Sequence, residues 1–467
     1  MWPFKTTLSV LSLGALLLLP RMAPALKNLR SLDPHNLPAV WNFPLDRIVP
    51  ATARAGASEA ALDQLRTTRL AALAPTNLAD PNHELDHYYA ALLRGGTTRV
   101  VHYGDSPTTA DLITADARTL LQQQFGDSGT GFILIARPWA WYNHRGVDLD
   151  ASRWKIDIGG ATELKDGMYG LGGASFRGGA GTEARWTLKD GHHRFAEVSF
   201  LGQPDGGEFS FEAEGQPVGS ADTQAETRSP GFHTFELPAG SKHFTLKVTR
   251  GTVRLYGVEF RKAGPGVLYS SLGINGANVT LVSRAFNGAH WSAILRHYKP
   301  DLVVLAYGTN ESGFPQFVNT TWGPELKAAV QRVRAALPEA SVLLMSPMDR
   351  GERGAGGDIE TVPALPHLVE VETAVAKETG VAFFNTFQAM GGPGTMARWY
   401  NGEPRLVGAD YIHPMPGGAK IVGELLYRAM RDGFQDYRLR QLKDTITEEA
   451  QPKEAQPKEV QKSDARK

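Results

Sequence analysis

The sequence predicts a parallel α/β fold that is interrupted by an inserted all-β domain. A short β-branched strand at Thr98–Tyr103 runs through a tight turn into a helix at Thr109–Gln124, which is how a parallel α/β unit begins. From about 150 to 262 the chain is rich in glycine, and short strands alternate with turn signals without any helical period. A buried-type strand at Asp301–Tyr307 then resumes the strand and helix alternation. The middle segment is therefore predicted to be a β-sandwich or jelly roll inserted into the α/β domain.

Hydrophobic periodicity places the remaining elements. In the middle segment the predicted strands are Trp154–Ile158, Arg194–Leu201, His233–Leu237, His243–Thr249 and Thr252–Phe260. After it, strands are predicted at Ser341–Met345 and Val381–Phe384, and helices at Pro324–Leu337, Leu368–Thr379 and Gly417–Arg431. Before the first strand, helices are predicted at Ser58–Leu73 and Glu84–Leu93.

The two ends of the chain differ in composition from this pattern. Lys5, the apolar run Leu8–Leu19 and the small residues Ala23–Ala25 match a signal peptide or an N-terminal anchor, so we expect export to the periplasm or the cell exterior. The last residues repeat Glu-Ala-Gln-Pro-Lys and end in charge, which predicts disorder. The predicted domains are 1–25, signal peptide or anchor; 26–96, N-terminal helical extension; 97–149 and 263–440, the two parts of the α/β domain; 150–262, the inserted β-sandwich; and 441–467, the disordered tail.

Composition excludes several classes of function. The 467 residues include 49 Lys and Arg and 49 Asp and Glu, so the formal net charge is zero. This balance argues against a nucleic-acid partner, which would require a basic excess. The chain has no cysteine, which excludes disulfides, thiolate metal sites and a cysteine nucleophile. We expect contact with a membrane only through an uncleaved N-terminal anchor.

Two short motifs carry the elements of nucleophilic catalysis. Ser106, in Gly104-Asp105-Ser106, lies where a predicted strand turns into a helix, and open α/β folds place their sites at that edge of the sheet. Asp410 and His413 lie just before the last helix, and two intervening residues let the carboxylate reach Nδ1 of the imidazole. Taken alone, the first motif fits a capped helix start and the second a structural His–Asp pair. Together they predict a serine nucleophile with its base.

Two further loops supply candidates for stabilising an oxyanion. Asn310, in Gly308-Thr309-Asn310, follows the strongest predicted strand, and its amide is a neutral, directional donor. Gly276, in Asn275-Gly276-Ala277, would let a backbone N–H approach a substrate oxygen, and Gly273 competes for the same role. Both segments are also ordinary turn sequences.

The four motifs in this order resemble the SGNH (GDSL-type) hydrolases. The resemblance implies a flavodoxin-like three-layer α/β/α fold, Ser106 as nucleophile, His413 as base and Asp410 as its orienting acid. It also implies an oxyanion hole made by Ser106, Gly276 and Asn310. The segment from Val100 to Leu112 is similar to the first block of peptidoglycan O-acetylesterases, which carry a carbohydrate-binding-like β-sandwich at the same place. Those enzymes commonly have a histidine after the serine, where this chain has Pro107, and this departure bears on the substrate.

Other polar and aromatic features have more ordinary explanations. Trp139, Trp141 and Tyr142 fit either stacking on a sugar ring or core packing. His192 and His193 lack metal-ligand spacing, and Asp148 and Asp150 fit a solvated loop, so no metal is expected. The sequence has no Walker A loop, no G-x-G-x-x-G and no G-x-S-x-G, and we expect no cofactor.

The leading hypothesis is a serine esterase that removes small acyl groups, O-acetyl first among them, from an acylated cell-envelope or extracellular glycan. An O-acyltransferase acting on a polysaccharide would share every motif up to deacylation. A glycan-binding envelope protein without catalysis is the third hypothesis.

Overall fold

The computed structural model describes residues 77–162 and 164–450, with backbone alone from 444 onward. Residues 75–432 form one compact unit, and the end of the last helix from Gly433 belongs to another. The predicted signal peptide, the predicted helix at 58–73 and the tail beyond 450 lie outside the described residues. Within the described residues, no helix is both long and apolar enough to cross a membrane.

The elements fall into three groups along the chain. The first group is β1 (Leu78–Ala79), α1 (Asp86–Leu93), β2 (Thr97–Gly104), α2 (Ser106–Thr109), α3 (Ile113–Phe125) and β3 (Gly129–Ile133). The second group is strands only: β4 (Val147–Ser152), β5 (Lys155–Ile158), β6 (Ala174–Gly179), β7 (Glu183–Leu188), β8 (His193–Gly202), β9 (Glu208–Ala213), β10 (Gln216–Asp222), β11 (Ser229–Glu236), β12 (His243–Arg250) and β13 (Thr252–Lys262). The third group is β14 (Gly266–Gly273), α4 (Gly288–Tyr298), β15 (Leu302–Ala306), α5 (Pro315–Phe317), α6 (Gly323–Ala336), β16 (Ser341–Met345), β17 (Gly351–Arg353), β18 (Ile359–Thr361), α7 (Ala364–Thr379), β19 (Ala382–Phe384), α8 (Thr386–Ala389), α9 (Thr395–Asn401) and α10 (Pro416–Ala450).

The main sheet has the order β1-β19-β16-β15-β2-β14. Its strands run parallel except β1, which pairs antiparallel with β19. Numbered along the chain, the parallel strands have the order 2-1-3-4-5, which is the flavodoxin-like doubly wound arrangement. The predicted fold class is therefore confirmed. The first parallel strand, β2, lies between the second and the third, so its carboxyl end is the point where the strand order reverses.

The central strands are predictable because both of their faces are buried. In β15 and β16 the side chains of Val303, Leu305, Leu343 and Leu344 are inaccessible to solvent. Parallel strands covered on both faces are continuous apolar runs rather than alternating ones, and these segments have that pattern. The predicted strands at Thr98–Tyr103, Asp301–Tyr307, Ser341–Met345 and Val381–Phe384 are confirmed to within one or two residues.

The strands between Val147 and Lys262 form two antiparallel sheets. Their orders are β10-β9-β12-β7-β4 and β11-β8-β13-β6-β5, and β3 also pairs with β13. The sheets face each other across an aromatic core, where the rings of Phe211 in β9 and Phe235 in β11 stack with centroids 4.8 Å apart. In β7, β9 and β12 buried residues alternate with more accessible ones, as in sheets with one buried face.

Several predicted boundaries differ from the structure. The antiparallel sheets begin before the predicted domain start at 150, because β3 belongs to one of them and β4 begins at Val147. The strands β4, β6, β7, β9 and β10 were not predicted. The predicted helix at Thr109–Gln124 is two helices, α2 and α3, since Asp111 between them has a φ of 51°. Leu78 and Ala79, inside the predicted helical extension, form an edge strand of the main sheet.

The last helix is much longer than predicted. It runs from Pro416 to Ala450, whereas hydrophobic periodicity indicated Gly417–Arg431 and placed the start of a disordered tail at 441. Ten of the 19 residues from Asp432 to Ala450 are Arg, Lys, Gln, Glu, Leu or Ala, which favour helices strongly, and Phe434 and Tyr437 are buried. The predicted tail boundary was wrong because polarity was taken as disorder.

Candidate active site

The loops after three neighbouring strands meet at one edge of the main sheet. Gly104, the last residue of β2, is in register with Gly273 of β14 on one side and with Ala306 of β15 on the other. The predicted motifs at Ser106, Gly276 and Asn310 follow these three strand ends directly. The structure therefore places all three motifs at the carboxyl edge where the strand order reverses, which is where open α/β sheets bind ligands.

Ser106 begins helix α2 on a turn that requires glycine before and beside it. A Cβ at Gly104 would lie 2.3 Å from Oγ1 of Thr108, and a Cβ at Gly273 would lie 2.5 Å from the backbone N of Thr109. The Thr108 N–H donates to the Asp105 carbonyl at 3.1 Å, which closes the turn. Ser106 thus lies just beyond the end of β2, on a short helix that packs closely against β2 and β14.

The three side chains predicted as catalytic form one hydrogen-bonded chain. Nε2 of His413 is 2.8 Å from Oγ of Ser106, and Nδ1 of the same ring is 2.6 Å from Oδ2 of Asp410. The side chains of Asp410 and His413 are 48% and 46% exposed, so the chain opens to solvent. A hydroxyl, an imidazole and a carboxylate in this order can transfer the hydroxyl proton to the ring while the carboxylate holds the ring in orientation.

Local hydrogen bonds in the loop fix the orientation of Asp410. Its Oδ1 accepts from the backbone N–H groups of Ile412 and His413, each at 3.0 Å. Burial raises the pKa of Asp410, but the hydrogen bonds from the His413 ring and from these two N–H groups outweigh it and lower the pKa below its ordinary value. The loop is closed by a bridge between Val407 and Pro414. Asp410 is therefore ionised at neutral pH and points at the imidazole.

The predicted oxyanion residues lie on adjoining loops. Nδ2 of Asn310 donates to the carbonyl of Ala277 at 2.7 Å, which links the loop after β15 to the loop after β14. Gly276 has a φ of 72° in the turn closed by the Ala277 N–H and the Ile274 carbonyl, and the space around it is open. The competing Gly273 is packed against α2, so its glycine requirement has a steric cause. Oxyanion binding by Ser106, Gly276 and Asn310 stays a prediction.

Residues 244–421 match the sequence model of the GDSL-like Lipase/Acylhydrolase family. The match includes the loops of Gly276, Asn310 and His413 but not Ser106, because the antiparallel sheets separate the serine from the rest of the motif set. No curated protein sequence matches the chain significantly.

The fold of this chain is similar to those of several solved structures. A solved structure of a peptidoglycan O-acetylesterase has a TM-score of 0.65 and 22% identity, covering 77% of this chain and 99% of that one. A Bacillus subtilis protein has a TM-score of 0.30 and 14% identity, over 60% of this chain and 89% of that one. A family 2 carbohydrate esterase with a carbohydrate-binding domain, from Corynascus thermopiles (Myceliophthora fergusii), has a TM-score of 0.30 and 14% identity, over 62% of this chain and all of that one.

A buried glutamate in the acylhydrolase domain was not predicted as part of the site. Glu311 follows Asn310, and its carboxylate accepts from the N–H of Val279 at 2.8 Å and from the N–H of Gly308 at 3.1 Å. It thus joins the two loops that carry Gly276 and Asn310. Burial raises the pKa of Glu311 to about 7. In the sequence it is only one more polar residue after a turn, and no pattern indicates that it is buried.

A second buried acid lies beside the nucleophile. Asp105 is 2% exposed, and burial together with the nearby Glu311 charge raises its pKa to about 8. The two aspartates that flank the reacting hydroxyl therefore differ in charge at neutral pH: Asp105 is mostly protonated and Asp410 is ionised.

Asp111 lies between helices α2 and α3 and joins them to the loop after β3. Its carboxylate accepts from both terminal nitrogens of Arg118 at 2.9 and 2.6 Å, and from the backbone N–H of Arg145 at 2.8 Å. Burial raises the pKa of Asp111, but the Arg118 charge outweighs it and the pKa falls to about 2. No sequence pattern indicates this role, since an aspartate in a polar stretch also fits a surface turn.

Ser106, Asp410 and His413 lie in a cleft of about 370 Å³. The residues lining it are Ser106, Pro107, Ala110, Leu112, Trp141, Asp410, His413 and Pro414. Of the three aromatic residues singled out in the sequence, Trp141 faces the cleft, whereas Trp139 and Tyr142 pack against each other edge to face.

The described residues contain no group of three or more His, Asp or Glu side chains arranged to hold a metal ion. His193 is buried against Phe260, with its Nδ1 3.3 Å from Asp190. Asp148 and Asp150 are exposed on β4.

Proposed function

We propose that this protein is a serine esterase that removes O-acetyl groups from an acylated cell-envelope or extracellular glycan. The observation that carries the proposal is the chain Asp410–His413–Ser106, with distances of 2.6 and 2.8 Å at the strand-order reversal of an acylhydrolase domain. The likeness in fold to a structure of a peptidoglycan O-acetylesterase makes O-acetylated peptidoglycan the first substrate to assay.

In the proposed reaction Ser106 attacks the ester carbonyl while Nε2 of His413 takes the hydroxyl proton. The resulting oxyanion receives hydrogen bonds from the Ser106 and Gly276 N–H groups and from the Asn310 amide. His413 then returns the proton to the departing sugar hydroxyl, which leaves an acetyl-Ser106 intermediate. A water molecule, deprotonated by His413, attacks this intermediate and releases acetate.

The same proposal places the protein outside the cytoplasm. The support is the N-terminal pattern of a charged residue, an apolar run and small residues, together with the cell-wall glycan named for the structure of similar fold. We propose no nucleic-acid partner and membrane contact only through the N-terminal segment.

The test of the nucleophile is Ser106→Ala assayed on p-nitrophenyl acetate. Because the remaining groups cannot form the acyl-enzyme, kcat is expected to fall at least about 10³-fold. Ser220→Ala, an exposed serine in the β-sandwich, is the matched control and should retain wild-type turnover. Unchanged turnover in Ser106→Ala would remove Ser106 from the mechanism, and an inactive wild type would favour a glycan-binding protein.

The test of the substrate class is acetate release from O-acetylated peptidoglycan and, in parallel, from acetylated xylan. Faster release from peptidoglycan is expected. A sugar acceptor added to the same reaction separates hydrolysis from acyl transfer, since acetyl transfer that outpaces acetate release would identify an acyltransferase.

A further inference from the structure

Trp141 is exposed beside the predicted nucleophile. Its side chain is 55% exposed, whereas the other described tryptophans are buried or half-buried. It lines the same cleft as Ser106 and His413. Single exposed apolar residues are common on protein surfaces, so the exposure alone carries little weight. Its place next to the reacting hydroxyl is what requires explanation.

Apart from the ionised Asp410, which pairs with His413, the rest of the cleft wall is uncharged and largely apolar. Pro107, Ala110, Leu112 and Pro414 contribute no charge, and Asp410 and His413 are hydrogen-bonded to each other. A cleft of about 370 Å³ is at the lower end of the range for small-ligand sites, roughly 300–1,000 Å³. This lining has no Lys or Arg to bind an anionic group, and its apolar side chains suit the C–H face of a neutral pyranose whose hydroxyls point to solvent.

The loop that carries Trp141 is held in a fixed position relative to Ser106. On one side, Asp111 accepts from the Arg145 N–H and from Arg118, which ties the loop to the helix pair that begins at Ser106. On the other side, the buried Tyr142 hydroxyl accepts from the Leu134 N–H at 3.0 Å. A loop held in this way loses little backbone freedom when a ligand contacts it, so more of the contact energy appears as binding.

We propose that Trp141 is a stacking platform for the neutral pyranose ring that carries the scissile ester. The indole face receives the apolar face of the sugar, and this contact directs the ester toward Ser106. This inference rests on the proposed esterase function, which it refines by assigning a subsite for the alcohol part of the substrate. Binding of a long acyl chain by the same ring is the alternative that the experiment tests.

The experiment compares Trp141→Ala and Trp141→Phe with the wild type on two acetyl esters. One is methyl 6-O-acetylglucopyranoside, which has a ring to stack, and the other is ethyl acetate, which has none. Loss of stacking should raise KM for the sugar ester about tenfold in Trp141→Ala and leave kcat close to the wild-type value. Ethyl acetate turnover should change less than about twofold, and Trp141→Phe should recover most of the sugar-ester activity.

The matched control is Leu93→Ala, another exposed apolar side chain, 51% exposed, at the opposite end of β2 from the site. It should leave both activities unchanged. Equal losses on the two esters in Trp141→Ala, or no loss on either, would overturn the proposal. A greater loss on hexanoate esters than on the sugar ester would assign the ring to an acyl chain and also overturn it.

A separate binding measurement distinguishes failure of this inference from failure of the esterase function. Titration of the wild type and of Trp141→Ala with methyl glucopyranoside, followed by ligand-observed NMR, requires no turnover. Weaker binding in Trp141→Ala supports the platform even if no ester is cleaved. Equal binding contradicts it even if the protein proves to be an esterase.

Discussion

At the scale of single residues, Asp111 shows how one buried carboxylate can organise a surface site. It is 1% exposed and is surrounded by donors from α3 and from the loop after β3. A buried charge of this kind is tolerated because it is paired with Arg118 and fully hydrogen-bonded. Removal of the charge would leave the guanidinium buried without its partner.

We therefore predict that Asp111→Asn lowers the free energy of unfolding by about 3 kcal/mol at pH 7. The folded pKa of about 2 lies below the unfolded value of about 3.9, so the ionised carboxylate contributes stability above about pH 4. That contribution is lost as the pH falls toward 2. Urea unfolding at several pH values should show the gap between wild type and variant narrowing steadily from about pH 5 down to about pH 2. A gap that is constant with pH would contradict this account.

Residue patterns predicted the reactive side chains but not the groups that support them. Ser106, Asp410 and His413 could be recognised because each lies in a short motif whose spacing has a chemical meaning. Asp111 and Glu311 act through burial and through hydrogen bonds to backbone groups far away in sequence, as in the contact between Glu311 and Val279. Burial of an acidic residue depends on the folded chain. From the sequence alone, a polar residue is predicted to be exposed.

At the scale of elements, helix α7 carries an acid on its buried face. Glu372 is inaccessible to solvent and neither of its oxygens has a hydrogen-bond partner. Burial, with a smaller effect from the Glu311 charge, raises its pKa well above the ordinary value. Glu372 is therefore protonated in the folded protein. The other buried residues of α7 near it in sequence, Leu368, Val369 and Val375, are apolar.

We predict that Glu372→Met stabilises the protein, and that the gain grows with pH. Because the folded pKa of Glu372 is raised, its contribution is full below the unfolded value of about 4.3 and is lost as the pH rises toward the folded value. The variant has no carboxyl to ionise, so its free energy of unfolding does not show this decrease, which is at most about 1.4 kcal/mol per pH unit. Thermal unfolding at pH 5 and pH 8 measures it. Glu370→Met, at an exposed position of the same helix, is the control and should show no such trend.

The elements themselves were predictable where one periodicity dominates. Four strands of the main sheet, β2, β15, β16 and β19, were predicted to within one or two residues, and helix α6 to within one. Helix α7 begins four residues before its predicted start, and the strands β1 and β14 were not predicted. In the β-sandwich, strands such as β9 and β10 are separated by a two-residue Glu214-Gly215 turn, and the sequence pattern did not resolve them. Helix α10 extends past its predicted end because strong helix formers continue after Arg431 and Phe434 and Tyr437 remain buried.

At the scale of the whole molecule, the β-sandwich and the α/β part share one hydrophobic core. Helix α4 lies at the junction, where the His297 ring stacks on Phe232 with centroids 3.5 Å apart and its Nε2 contacts Glu197 at 2.9 Å. Tyr298 of the same helix meets Phe132 edge to face. Such extensive packing is typical of one cooperative unit rather than of two domains joined by linkers.

We predict that residues 75–432 unfold in a single thermal transition. Phe211→Ala, deep in the sandwich, should lower the free energy of unfolding by about 3–5 kcal/mol and shift the whole transition downward, together with loss of esterase activity. Val303→Ala, in the main sheet, should shift the same transition. Calorimetry with activity followed in parallel measures both. A separate low-temperature transition that leaves activity intact would show that the sandwich unfolds by itself.

The distance in sequence between Ser106 and His413 has a consequence for synthesis on the ribosome. The two residues that share the 2.8 Å hydrogen bond are 307 positions apart, and the whole β-sandwich is made between them. At a translation rate of roughly 5–20 residues per second, His413 is synthesised roughly 15–60 s after Ser106. A nascent or truncated chain that stops within the sandwich holds the hydroxyl without its base.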